Sequence, residues 1–415
     1  MTILKQNIIN MMVWLCVTLF YCYQYILRVL PNIVMPELMN KFGIGASEFG
    51  SFAGIYYIGY IAVHIPIGLM LSRIGNKKIL PICVLLTSSS LIPMIYSTTW
   101  SYVLLGRLLT GIGSSAAIIG ALQLLRMIYP NSFTRVLGFT VFFGLITVLY
   151  SSGPITKILT IYGIEYVGNF LIILGVILTI ITFLLLPKDE LGETNESILY
   201  DLKSVALNNK IIIVSLLAGL SVGALEGFAD AWGSSFFSAV YNIDRVTGGE
   251  LVGLIFAGMC VGSLLLPYAA DKTGAHYGIT LLAVLVLSGM MIWLISGHAG
   301  CCLQFICIII GVFSAYQVII IAKISTFASN RLSGMASAVA NMIIMAFGTI
   351  FHNSIGKIMS MYWDGVIKDG IPIYSASAYE HGIAIIPGAS LISVAGFIIV
   401  IIYDRYKVRS NIIKN

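Results

Sequence analysis

The chain has 415 residues, 59% of them hydrophobic and 10% charged, with a mean hydropathy of +0.98. Soluble domains carry roughly 25% charged residues, and a single water-soluble core of this length cannot enclose so much apolar surface. The composition therefore excludes a soluble globular protein and points to a polytopic membrane protein. The net charge of +6 is not a nucleic-acid footprint either, because the basic residues are distributed by loop rather than gathered in one patch.

Apolar runs long enough to cross a bilayer, which takes about 20 residues, fall near residues 9–34, 48–71, 78–97, 101–128, 134–158 and 164–186. After a polar stretch they resume near 210–240, 247–270, 277–296, 300–322, 332–362 and 378–403. The first run is too long for a signal peptide, carries Tyr21, Gln24 and Arg28, and ends without a small-residue cleavage site, so it reads as a helix of the mature chain. Of the 23 Lys and Arg, 16 fall in segments on one side of these spans, four on the other and three within helices. The positive-inside rule then puts both termini in the cytoplasm, with an even number of spans.

Residues 187–209 form the one sizeable charged linker, in which Ile198, Leu199, Leu202 and Val205 keep helical spacing, the pattern of an amphipathic surface helix. The expected organisation is a six-helix bundle over 1–186, this linker, and a second six-helix bundle over 210–415. Short stretches repeat between the halves. Residues 68–78 read GLMLSRIGNKK after the second span, and residues 267–276 read PYAADKTGAH after the eighth. Arg135 and Gly138 follow the fourth span as Arg331 and Gly334 follow the tenth. The offsets, 199 and 196 residues, are nearly equal, as internal duplication requires.

These loops resemble the signature loops of the major facilitator superfamily, and the resemblance extends over the whole chain. The segment around Arg107, Gly111 and Gly113 is similar to the family's fourth-helix motif, and Gly153–Pro154 is a partial match to its fifth-helix motif. Ser72 stands where the family carries an acid, while Asp271 keeps that acid in the second half. The resemblance implies an all-α fold of twelve transmembrane helices in two pseudo-symmetric bundles. It also implies a cytoplasmic gate made of Arg73, Gly75, Lys77, Arg135, Asp271, Lys272 and Arg331. Residues 21–31 and 228–233 further resemble a branch of bacterial nutrient transporters of the phagosomal type, related to lysosomal dipeptide transporters. That resemblance implies amino-acid or peptide-like solutes and a bacterial inner (plasma) membrane.

Five ionisable residues lie within spans: Arg28, Arg107, Glu226, Asp230 and Lys357. Unpaired, each costs about 3 kcal/mol on insertion scales, so together they must face one another or a water-filled cavity. Tyr21, Gln24 and Arg28 share one face of the first helix, where Arg28 serves as a substrate ligand, a structural ion pair or a headgroup anchor. Arg107 is a ligand or a structural and coupling residue. Glu226 and Asp230, spaced i, i+4, are neighbours, and burial plus mutual repulsion suits such a pair to proton coupling; the alternative is fixed pairing with Arg28 and Lys357. Tyr56, Tyr60 and His64 fall on one face of the second helix, and the tyrosines, with Trp232, are candidate cavity residues. Three cations against two acids leave the interior at +1, which favours a carboxylate-bearing solute.

The expected activity is secondary transport by alternating access, as proton-coupled uptake of an amino acid or short peptide. Proton-antiport efflux of a drug or metabolite and organic-anion exchange are the alternatives. No nucleophile–base constellation argues for an enzyme. The seven cysteines lie in apolar segments without metal-ligand spacing and read as small buried hydrophobes. No cofactor, metal or nucleic acid is expected; the partners are solute, protons and lipid, and the chain is expected to act as a monomer.

Overall fold

The computed structural model describes residues 2–187, 198–329, 332–368 and 371–414. Within them the chain is helical apart from one short antiparallel ladder, β1 (Ile367–Lys368) with β2 (Ile371–Pro372). The first span, α1 (Thr2–Phe42), is longer than the apolar run predicts, because Pro31 and Pro36 lie inside the helix instead of ending it. The second is α2 (Ala46–Ile74), and the third is built from α3 (Asn76–Ser89) and α4 (Ile92–Tyr96). Gly75 makes the sharp turn between α2 and α3 at φ 102°, a conformation open to glycine at little cost. α5 (Trp100–Ile128) is the fourth span. α6 (Phe133–Leu185) runs for 53 residues, but Gly163 at φ 80° breaks it into the fifth and sixth spans.

Of the linker, residues 188–197 lie outside the described part of the chain, and α7 (Ile198–Ala206) follows as a short helix with Val205 buried. The seventh span is irregular. α8 (Asn209–Leu220), capped by the Asn208 side chain, leads into a π-helical segment, Ala224–Trp232, and then α9 (Gly233–Tyr241), with a bend of 40° at the break. α10 (Arg245–Thr273) and α11 (His276–Ile295) follow, then α12 (Leu303–Ser314) with α13 (Tyr316–Ser325), and α14 (Ser333–Met361). α15 (Ala376–Ile383) and α16 (Ile385–Lys414) form the last span. Among the described residues ten helices are long and apolar enough to cross a membrane, eleven with the bent α8–α9 pair, and division of the Arg135–Leu185 span at Gly163 completes twelve.

The expectation that every cysteine is buried holds only in part: Cys301 is exposed, and Cys22 and Cys302 are half-buried. Large apolar side chains such as Leu264, Ile399 and Ile173 stand outward, as a lipid-facing surface requires. The polar residues collect instead between the halves.

Candidate solute cavity

A cavity of about 680 Å³ lies between α1, α2 and α5 of the first half and the π-helical segment, α10, α13 and α14 of the second. Its size falls within the range of small-molecule sites. Gly68, Gln123, Gly334 and Ser337 line it at the end where the α2–α3, α5–α6 and α13–α14 connections lie, and Arg28 and Glu226 line its head.

The head is an ion cluster. Arg28 donates from Nε to Asp230 Oδ2 at 2.9 Å and pairs through Nη2 with Glu226 Oε2. Tyr57 stands across from it, its hydroxyl 2.7 Å from Glu226 Oε2 and also against Asp230 Oδ2. The guanidinium further lies over the rings of Tyr25 and Tyr57, at 5.4 and 5.6 Å from their centroids. Glu226 and Asp230 therefore share one directly bonded cation. Asp230 Oδ1 is buried without a partner among the described residues. Tyr57 was not singled out in the sequence. It lies one residue off the Tyr56–Tyr60–His64 face, and so points at the other half of the molecule instead of along its own helix.

Arg107 has a different task. Pro31 lacks an N–H, so the carbonyl of Leu27 four residues earlier loses its helical partner. Arg107 Nη1 donates to Leu27 O at 2.6 Å and Nη2 to Arg28 O at 2.8 Å, while its guanidinium lies over Tyr56 at 4.6 Å. In a bilayer such freed carbonyls must be satisfied by protein, and Arg107 supports the stretch of α1 that carries Arg28. Tyr56 donates to Gln24 Oε1 at 3.2 Å and stacks with Tyr60, which in turn packs on His64 with ring centroids 5.1 Å apart. Tyr21, Gln24, Tyr60 and His64 line the cavity; Tyr56 lies behind them.

Two expected cavity residues lie elsewhere. Lys357 is exposed on α14, near the end opposite the cavity mouth. Without it the interior holds two cations and two acids, and the expected +1 disappears. Trp232 is wholly buried against Phe49, at 5.3 Å and near-perpendicular, above the ion cluster and outside the cavity.

That upper layer is sealed. α2 and α14 touch backbone to backbone, where a side chain on Gly50 would collide with the His352 carbonyl and one on Gly356 with that of Ala46. Ser51 Oγ donates to Asn353 Oδ1 at 3.0 Å, Tyr374 Oη accepts from Ala46 N at 2.8 Å, and Asn32 Oδ1 accepts from Ser234 N at 2.8 Å. Arg245 forks onto Glu37 at 2.5 and 2.6 Å and reaches the Ile33 carbonyl. Every one of these contacts joins the two halves.

The expected gate residues lie at the other, open end. Arg73, Arg135 and Lys272 are exposed, Lys77 donates to Leu186 O at 2.6 Å, and Asp271 pairs with His276 at 3.2 Å. Gly75 forms the α2–α3 turn, the Ser72 side chain is not described, and Arg331 lies outside the described residues. Among the described residues no group of three or more His, Cys, Asp or Glu could hold a metal ion.

Comparison with known proteins gives the same fold. The structure of a bacterial homolog of the human lysosomal transporter Spinster, inward-facing and unoccupied, aligns with a TM-score of 0.71 at 16% identity, covering 94% of this chain and 95% of that one. The nucleoside transporter NupG aligns at 0.73 with 14% identity, covering 94% and 98%. A putative metabolite transport protein, NicT of Pseudomonas putida, is 29% identical over 119 residues, 27% of this chain and only 26% of that protein's length. A family model covers most of the chain, residues 13–351, and with the twelve spans it shows that the protein is a membrane transporter of the Major Facilitator Superfamily.

Proposed function

We propose that the protein takes up a small zwitterionic solute, an amino acid or short peptide, together with protons. The observation that carries this reading is the sharing of Arg28 between Glu226 and Asp230 at the head of the cavity. A proton on Glu226 weakens its hold on the guanidinium, which is then available to a solute carboxylate, while Asp230 keeps its bond to Arg28 Nε and the rings of Tyr21, Tyr25 and Tyr60 in the cavity wall receive a solute ammonium. Loss of that proton restores the ion pair and expels the solute. In this reading the halves 1–186 and 210–415 rock about the cavity, the open end faces the cytoplasm of a bacterial cell with both termini, and the chain works as a monomer in the inner membrane. Closing the open end brings Arg73, Gly75, Lys77 and Arg135 towards Asp271, Lys272 and Arg331, and Asp271 exchanges His276 for a partner across the interface.

Proteoliposomes loaded at alkaline pH and diluted into acidic buffer with labelled amino acids and dipeptides test the proposal. A pH gradient is expected to drive accumulation, and Glu226→Gln is expected to keep solute exchange at zero gradient but lose accumulation entirely. Undiminished accumulation by Glu226→Gln, or gradient-independent uptake by the native chain, overturns the coupling.

A further inference from the structure

Below the ion cluster the cavity wall changes character. Among the described lining residues Arg28 and Glu226 are the only Arg, Lys, Asp or Glu, and Arg28 is paired with Glu226 and, outside the lining, with Asp230. The remaining polar groups are neutral, and two of them come from opposite halves: His64 on α2 and Gln317 on α13. Each is 5% exposed, with one nitrogen, His64 Nδ1 or Gln317 Nε2, sealed off without a hydrogen bond. Both residues line the cavity, and neither makes a hydrogen bond through its other polar atom among the described residues. Buried polar groups are ordinarily paired, and a half-turn of the Gln317 amide lets it offer either a donor or an acceptor. Around them the wall is apolar, with Ile119, Val318, Ile321 and Met345.

We infer that His64 and Gln317 form a second subsite that selects solutes carrying an uncharged amide or hydroxyl tail. The inference rests on the zwitterion reading for the head of the cavity and extends it to the tail. A tail bearing a net charge would be desolvated against apolar walls with no counterion there among the described residues, a heavy cost. An amide tail such as glutamine's, or the peptide bond of a short neutral peptide, offers both a donor and an acceptor to such side chains. Tyr60, packed on His64, holds the imidazole in place.

The test uses the full chain in detergent, with thermal shift and equilibrium binding of L-alanine, L-glutamine, L-alanyl-L-glutamine, L-glutamate, L-lysine and uridine. L-glutamine and L-alanyl-L-glutamine are expected to bind at least tenfold more tightly than L-glutamate and L-lysine. His64→Phe, which keeps a ring on Tyr60, and Gln317→Met, which keeps volume, are each expected to weaken L-glutamine about tenfold, the worth of one hydrogen bond. L-alanine binding should stay within twofold. Equal binding of charged and neutral tails, or variants that leave L-glutamine untouched or weaken L-alanine as much, overturns the subsite. Binding of L-alanine with no preference among tails would sink the subsite and leave the head reading intact; binding of uridine alone would sink both. Should His64→Phe fail to fold, Gln317→Met decides the matter alone.

Discussion

The two ends of the interface between the halves are built on opposite principles. At the sealed end, glycines let α2 and α14 meet backbone to backbone, and polar contacts from Asn32, Ser51 and Tyr374 are short and paired across the interface. At the open end, among the described residues, His64 Nδ1 and Gln317 Nε2 in the cavity wall have no partner, Arg73, Arg135 and Lys272 are exposed, and Lys77 is engaged within its own half. The difference teaches where the conformational energy is held. In this state the free energy that keeps the halves together is concentrated above the ion cluster, so changes there move the equilibrium between states, while changes at the mouth act on binding. The ion cluster lies at the boundary between the two ends.

Substituting the glycine contact should break the comparison most severely. Gly50→Leu forces α2 away from the His352 carbonyl, and overpacking of this kind costs about 1–3 kcal/mol. Transport is expected to be lost, and Ser47→Cys, in a background without the native cysteines, should react with thiol reagents at least tenfold faster. Unchanged labelling would mean that the sealed layer does not depend on this close approach. A smaller effect is expected at the rim. Arg245 and Glu37 have side chains 22% and 24% exposed, so water and salt weaken their pair. Arg245→Gln should loosen the same Ser47→Cys probe by up to about 1 kcal/mol, roughly fivefold, with the effect shrinking in high salt. A salt-independent loss would instead assign the residue's role to its bond with the Ile33 carbonyl.

The smallest effect belongs to Asp244, which caps α10 beside that pair. It accepts from Val246 N at 3.0 Å and Thr247 N at 3.1 Å, and the Thr247 hydroxyl donates to it at 2.6 Å. The Thr247 hydroxyl and the backbone N–H groups hold its carboxyl below the ordinary aspartate value. The folded state therefore favours the ionised form, and this contribution is present above pH about 4 and is lost as pH falls through the lowered folded value. Asp244→Ala should lower Tm slightly at pH 7, and the gap from the native chain should close under acid. A gap that persists at low pH would refer the cap's value to the uncharged bonds alone.

Residue by residue, much of this was legible in the chain, and what was not has a physical cause. Gly163 and Pro31 are informative examples. The glycine that divides α6 falls in the gap between the apolar runs 134–158 and 164–186 and so shows in the sequence, whereas the proline that stays inside α1 does not announce its effect locally, since that outcome depends on which neighbour satisfies the freed carbonyl. The i, i+4 spacing of Glu226 and Asp230 places both carboxylates on one face, and the structure sets both on Arg28. Tyr57 escaped notice because its partners lie 169 and 173 residues away. Lys357 was counted as an interior charge because its position within a long apolar helix is visible in sequence, whereas its depth in the membrane is not.

The sequence by itself determines the solvent, the number of spans and the duplication into halves, because hydropathy over 20 residues and the repetition of loop motifs are local, additive properties of the chain. It also names the buried ionisable residues, since each is costly enough in an apolar span to stand out. Only the tertiary structure decides which of them pair, that Arg107 serves the backbone of α1 while Arg28 serves the cavity, and which end of the interface is closed. Those outcomes depend on contacts between helices far apart in the chain, where an ångström of separation distinguishes a paired charge from a solvated one.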